Sequence, residues 1–293
     1  MPKEYYSSLG FNHKQLMLIR NFCARVSEKP RLSLSRFHKQ SPYSRKQTTI
    51  DIINRAYKNK VITGPYIYCN SGIEVELIKD LKNPLKYWAQ HKDDPGVTMC
   101  LALRGDWSYI CFKKGASMQE YTSTPLPSYP ALCRIEDIYF EEEGALPRDP
   151  YPHGWGEREW EVYDAMGEPR KKTYRELERE LGISMFSVRE CYLKILKQCK
   201  TLVCFFPIGF ESYEYVLLIF KTKYEVGLEK ALSKLDRTTY LYKYNGSIVL
   251  HLQVNPENQE YNKATARFGE LEEMGIIHDL RASIPNRWKN IHF

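Results

Sequence analysis

No stretch of the 293-residue sequence approaches the roughly twenty consecutive apolar residues needed to cross a bilayer. The start, Met1-Pro2-Lys3-Glu4-Tyr5, lacks the apolar run of a secretion signal. A cytoplasmic location with no membrane partner is therefore expected. The eight cysteines, at 23, 69, 100, 111, 133, 191, 199 and 204, include no CxxC pair, and no Cys/His cluster has zinc-finger spacing. Most sit inside apolar segments such as Met99-Cys100-Leu101 and Ile110-Cys111-Phe112, where a thiol behaves as a small hydrophobe. Reduced structural thiols are expected. A Gly-rich phosphate loop, a Ser-His-Asp pattern and a metal motif are all missing, and none of the seven histidines falls in a recognisable pair. These absences predict no catalytic residue, no metal and no cofactor.

What is present is ordinary in amount and informative in distribution. The chain is 43% hydrophobic and 27% charged, as a globular protein is, with 22 tyrosines to fill its cores. The net charge of +7 is modest but segregated. Between residues 30 and 60 lie Arg31, Arg36, Lys39, Arg45, Lys46, Arg55, Lys58 and Lys60 against the single acid Asp51. Between 170 and 200 nine bases face four glutamates, whereas Glu136-Asp137 and Glu141-Glu142-Glu143 are acidic. Two basic segments in a chain that is acidic elsewhere point to a polyanion.

Both basic segments read as helix-turn-helix units, about 140 residues apart. In the second, Thr173 and Glu176 form a capping-box pattern, Leu177 and Leu181 face inward, and Gly182 ends the helix. Ser184 then caps a helix with the stripe Val188, Tyr192, Ile195 and Leu196. In the first, Ser41-Pro42 gives a cap-plus-proline start to a helix ending near Lys58. Each unit is followed by β character. In the second half, a strand within 213–220 and a helix within 224–235 precede strands at 238–242 and 247–252, which flank the hairpin signal Asn245-Gly246. A helix over 260–273 and a strand at 276–282 complete a βαββαβ order. The first half echoes it with strands at 72–78, 97–104 and 107–113, a helix at 84–90, and a last strand at 134–140. Residues 115–130 stand as a loop where the second half has its long helix.

The expected fold is α+β. Two winged helix-turn-helix domains (1–72 and 157–207) alternate with two ferredoxin-like βαββ(α)β domains (73–143 and 208–293) in a pseudo-twofold tandem repeat, with 144–156 as linker. Base contacts are expected from the first turns of the second helix of each reader. In the first reader Ser44, Arg45, Lys46, Gln47 and Thr49 serve, with Arg36, Lys58 and Lys60 beside them. In the second they are Ser184, Phe186, Ser187 and Arg189, with Arg175 and Lys194. Arg matches guanine and Gln matches adenine in the major groove; for any single side chain a solvated helix face is the competing explanation.

This organisation, carried best by residues 173–202 and 213–282, resembles the Lrp/AsnC (feast/famine) family of transcriptional regulators. The resemblance implies sequence-specific binding to double-stranded DNA and no enzymatic activity. It also implies a small-molecule effector such as an amino acid, bound between the RAM-like domains near the turn joining their second and third strands. That turn is Arg104-Gly105-Asp106-Trp107 in the first copy and Asn245-Gly246-Ser247 in the second. Only the first has a carboxylate beside its glycine to hold an ammonium group; a plain surface turn is the alternative. The duplication suggests sheets paired within the chain, and a homodimer or higher homo-oligomer is open. Two rivals remain. Siroheme decarboxylases are similar to this family in architecture, and such a role would use His251, His278 and Tyr240. A helix-turn-helix protein-interaction scaffold is the other.

Overall fold

In the computed structural model, which describes residues 9–114 and 120–290, the chain divides into two units. Residues up to 70 join 150–205 in the first; 71–149 join 206 onward in the second. The two basic segments thus share one unit and the two sheet-forming segments share the other.

The first unit opens with α1 (His13–Glu28). The Asn12 side chain accepts from the Gln15 N–H, and the Gln15 side chain accepts from the Asn12 N–H, so two orphan helix donors are satisfied reciprocally. Leu16, Ile19, Phe22, Cys23 and Val26, at helical spacing, form its buried face. Next come α2 (Leu34–His38), α3 (Lys46–Lys58) and β1 (Ile62–Tyr68). Arg45 precedes α3 and makes no side-chain cap, so the cap expected of Ser41-Pro42 lies a turn too early. The helix α4 (Pro84–His91) belongs to the second unit. The other half of the first unit holds α5 (Glu157–Ala165), α6 (Tyr174–Leu181), α7 (Met185–Leu196) and β6 (Lys200–Phe205). Here the sequence signals appear as read. Thr173 and Glu176 close a capping box, Gly182 takes φ 67°, and Ser184 caps α7. β1 and β6 pair antiparallel from Ile62↔Phe205 to Tyr68↔Lys200, so one ladder joins the two halves.

The second unit is built on strands β2 (Ile73–Ile78), β3 (Val97–Gly105), β4 (Tyr109–Lys114), β5 (Tyr121–Ser123), β7 (Glu214–Lys221), β8 (Tyr240–Tyr244), β9 (Ser247–Val254) and β10 (His278–Asn290). They form one sheet in the order β2-β4-β3-β10-β7-β9-β8-β5, antiparallel at every pairing. Helices α8 (Glu225–Leu232) and α9 (Glu260–Glu273) cover one face over Leu218, Phe220, Leu250 and Leu252. The strand expected at 134–140 is instead a 3-10 turn at Ile135–Asp137, with Ile135, Ile138 and Phe140 packed under α9. The short strand β5 forms inside the stretch 115–130 read as a loop, of which residues 115–119 lie outside the described residues.

The sheet is curled. Five strand-to-strand steps separate β4 from β8, which would place them about 24 Å apart on a flat sheet. Yet the Phe112 and Tyr242 rings, one on each strand, have centroids only 5.1 Å apart. The inner faces of the two ends of the sheet therefore merge into one core of Ile73, Val75, Leu101, Ile110, Leu217 and Val249 among others. Each such buried aliphatic contributes roughly 1.5–3 kcal/mol. One ion pair and two hydrogen bonds to buried carboxylates fix the short strand β5 and the chain beside it. Asp149 accepts from the Thr122 N–H, and Glu225 binds both Lys243 Nζ and the Leu146 N–H.

Candidate functional site on the inner face of the sheet

Register determines which side chains share the inner face, because residues opposed across a ladder point to the same side. Leu217 and Ile219 belong to the inner core, so their partners His251 and Val249 do as well, and the alternation on β9 adds Gln253. On β8 the same face carries Tyr240, Tyr242 and Tyr244, with Tyr240 opposite His251. On β10 it carries Ser283, opposite Leu217, and Arg281, opposite Ile219.

His251 lies at the centre of this arrangement, 4% exposed. The Tyr215 ring is stacked against it at 6.0 Å and 13°, while Tyr242 at 5.5 Å and Tyr240 at 6.4 Å meet it edge-on. Tyr215 in turn meets Trp288 at 5.4 Å, and Trp288 is 51% exposed, so the aromatic row runs from surface to interior. Burial pushes the imidazole down to about 4 and raises the Tyr215 phenol, leaving both uncharged near neutral pH. His251 Nε2 and Gln253 Oε1 are buried with no hydrogen-bond partner. A neutral imidazole with an unengaged nitrogen can accept or return a proton, or bind a soft cation. Lys79 lies over the Trp107 ring at 4.5 Å, and Arg281 is exposed, so cations are available along the same sheet. Among the described residues no cluster of three or more His, Cys, Asp or Glu could hold a metal ion.

Of the three residues named for an enzymatic role, His251 and Tyr240 come together, while His278 is exposed at the start of β10. Sequence reasoning passed over Tyr215, Tyr242 and Trp288. Alternation on their strands was the available signal, but which face would be enclosed was not visible.

Of the two turns expected to hold an effector, the first docks on β10, while Asn245 and Gly246 of the second are exposed. Asp106 accepts from the Ala282 N–H at 2.8 Å, and the Asp106 N–H donates to the Ala282 carbonyl. The Trp107 N–H donates to Ser283 Oγ at 2.9 Å, and Gly105 packs against the same segment of β10. Arg104 is exposed beside them. At the other turn the Gly246 N–H donates to Glu120, Asn245 takes φ 49°, and Ser247 pairs with Tyr244. The carboxylate assigned to an ammonium group thus ties the turn to β10.

The residues expected to contact DNA lie in the first unit. Arg36, Ser44, Arg45, Lys46, Gln47, Lys58, Lys60, Arg175, Ser184, Phe186 and Arg189 are exposed, and Ser187 is half-buried. Thr49 is fully buried, its hydroxyl shared with His38 Nδ1 at 3.0 Å and Ser41 Oγ at 2.8 Å, so it is corrected from a contact to a packing residue. Gln47 donates to Asp51 and Lys194 pairs with Glu159.

No protein-family model matches the chain, and no curated protein does. Among solved structures it is similar to the siroheme decarboxylase NirDL in complex with an iron-uroporphyrin III analogue. The identity is 10%, the TM-score 0.47, and the likeness covers 89% of this chain and 87% of that one. This comparison corrects the expectation of a non-enzymatic, DNA-binding transcriptional regulator of the Lrp/AsnC family. The solved protein is an enzyme with a bound tetrapyrrole analogue, and no regulator matches. The physical reason for the error is that helix-turn-helix units and an α+β sheet are scaffold, and scaffold does not fix function. Among the described residues no helix is long and apolar enough to cross a membrane.

Proposed function

We propose that the chain is an enzyme acting on a flat, conjugated, carboxylate-bearing substrate of the tetrapyrrole class, held against the aromatic inner face of the second unit's sheet. The reaction is removal of a carboxyl group as CO2. The observation that supports this reading is the uncharged His251, its Nε2 buried without a partner among Tyr215, Tyr240 and Tyr242. Leaving such an atom unpaired costs roughly 1–3 kcal/mol, which suits a group with a task. Aromatic rings favour a planar conjugated partner, and Arg281 and Lys79 offer charge to its peripheral carboxylates.

A substrate carboxylic acid reaching Nε2 gives its proton to the imidazole. The carboxylate so formed is poorly solvated, and cleavage of its C–C bond releases CO2. The electron pair left on carbon takes the proton back from Nε2. The proton leaves and returns through one nitrogen, whose depressed pKa favours its return.

The strand order supports a finer reading of the architecture. β10-β7-β9-β8 follows the order of a ferredoxin-like unit, and β2-β4-β3 matches its last three places. We read β5 as the fourth strand of the first copy. Each copy's fourth strand then lies beside the other's second, as a pseudo-twofold axis within the chain requires.

Titration with iron uroporphyrin III, followed by visible absorbance, tests the binding half, and the mass of the recovered macrocycle tests the chemistry. A saturable spectral change with loss of carboxyl groups is expected. An unchanged spectrum at equimolar and excess protein would sink the proposal.

A further inference from the structure

In the first unit the β1–β6 ladder runs Tyr66↔Leu202, Ile67↔Thr201 and Tyr68↔Lys200. One further step along this register sets Cys69 opposite Cys199. The Cys69 thiol is near enough to Cys199 to hold the Cys199 pKa up. The Tyr163 hydroxyl lies against the Cys69 sulfur and accepts from the Cys69 N–H at 3.2 Å, which holds that end of the ladder in place. Residues opposed across an antiparallel ladder have Cα atoms about 4.5–5.5 Å apart. That falls inside the window of about 4.4–6.8 Å which a disulfide spans without moving the backbone.

We propose that Cys69 and Cys199 are a disulfide site, closed by exchange with a low-molecular-weight disulfide. Cys199 is half-buried and Cys69 only 3% exposed, so Cys199 is the sulfur a small reagent reaches. Its thiolate attacks the small disulfide, forming a mixed disulfide and releasing one small thiol. Cys69 then attacks the Cys199 sulfur and releases the second. The two protein thiols give up two protons and two electrons, and the small disulfide takes them to become two thiols. The neighbouring thiol and burial hold the Cys199 pKa up, so the thiolate is scarce and closure is slow beside that of an exposed cysteine. The bond staples β1 to β6 and closes a loop of about 130 residues, long enough for substantial stabilisation in the chain-entropy account.

The chain contains its own contrast. Cys100 and Cys111 are also opposed, across β3 and β4, but they are 0% and 2% exposed and packed with the buried Tyr109. No small disulfide reaches them, and they stay reduced in the folded chain.

The experiment treats the full chain, without denaturant, with oxidised glutathione at graded ratios to reduced glutathione. Acid quenching, alkylation and peptide mass analysis follow. The linked peptide containing Cys69 and Cys199 is expected as the first intramolecular cross-link, reversed by reductant. It brings a thermal midpoint raised by several degrees, and neither effect appears in Cys199→Ser. Cys69→Ala gives an independent check should that variant fold poorly. Glutathione on the half-buried Cys133 or Cys191 shows that the reagent was active. Absence of the 69–199 peptide under those conditions, or a first cross-link at 100–111 or any other pair, overturns the proposal.

Discussion

On the inner face of the sheet, Leu217 on β7 faces His251 on β9, and Val75 on β2 faces Phe112 on β4. Counted from the turns that join their hairpins, these are equivalent pairs: Tyr244 pairs with Ser247 in one copy, and the Leu103 N–H donates to the Ser108 carbonyl in the other. Along the whole face the first copy presents Ile73, Val75, Leu101, Leu103, Ile110 and Phe112, all apolar. In the matching places the second presents Tyr215, Leu217, Tyr242, Tyr244, Val249 and His251, so four of the six aliphatic or Phe positions become Tyr or His. The outer faces differ too. The second copy has α8 and α9 over its sheet and a buried pair, Arg237 with Glu260, whereas the first has α4 over Cys100, Tyr109 and Cys111. On the proposed reading of the sheet as two copies, the first would serve as scaffold and the polar side chains of the inner face would be concentrated in the second. A shared interior makes this arrangement stable, since each half needs the other to bury its face.

Changing His251 to Phe gives the second copy the first copy's residue and is the sharpest way to test that contrast. On the proposed decarboxylation, turnover is expected to fall by about 10²–10⁴, the usual worth of a positioned acid–base group. Absorbance changes on binding should persist, because the rings remain. Retained turnover would show that the polar residue of this pair is not the active one.

The next largest effect concerns the outer faces. Arg237 is 6% exposed and bidentate to Glu260, which also accepts from the Asn255 N–H. Arg237→Met strands a buried carboxylate and should cost about 3–5 kcal/mol, read by denaturant unfolding. A cost below about 1 kcal/mol would mean that the second copy does not depend on this clamp.

Acidification probes the same histidine thermodynamically. Its native pKa of about 4 lies below the ordinary 6.5, so between those values the unfolded chain binds a proton that the folded chain refuses. Stability should therefore fall as pH drops from 6.5 towards 4, by on the order of 3 kcal/mol. Subtracting the profile of His251→Phe isolates this component; identical profiles would contradict a buried neutral imidazole.

The smallest effects separate the two turns. A Cβ at Gly105, whose φ is 134°, would stand 2.5 Å from the Ala282 carbonyl oxygen, so Gly105→Ala should displace β10 and cost about 2–3 kcal/mol. Gly246, at φ 70°, has nothing within 4 Å of its would-be Cβ, and Gly246→Ala should cost only about 1 kcal/mol in backbone strain. Thermal midpoints in the reverse order would refute the docking of the first turn on β10.

Much of the local structure was legible. Thr173, Glu176 and Gly182 marked α6 at both ends and Ser184 marked the start of α7, which ends at Leu196 rather than near Gln198, and α9 runs Glu260–Glu273 as its spacing indicated. The helix α1 was overlooked although Asn12, Gln15 and the apolar row from Leu16 to Val26 announce it. The strand expected at 134–140 failed for a different reason. Its apolar residues Ile135, Ile138 and Phe140 are buried against a helix, and a short apolar run does not say what covers it. His251 could be read as a residue in an apolar strand, and its neighbours Leu250 and Leu252 gave no hint that it alone would be enclosed by aromatic rings.

The sequence by itself determined the α+β alternation, the hairpin at Asn245-Gly246 and the polarity of each strand face, because caps, turns and period-two patterns act over a few residues. Only the tertiary structure decided that β10 pairs with β3, that β5 crosses to β8, and that the sheet curls until Phe112 meets Tyr242. Those pairings join residues more than a hundred positions apart. They are selected by the burial of whole faces against one another, a free energy that no local window contains.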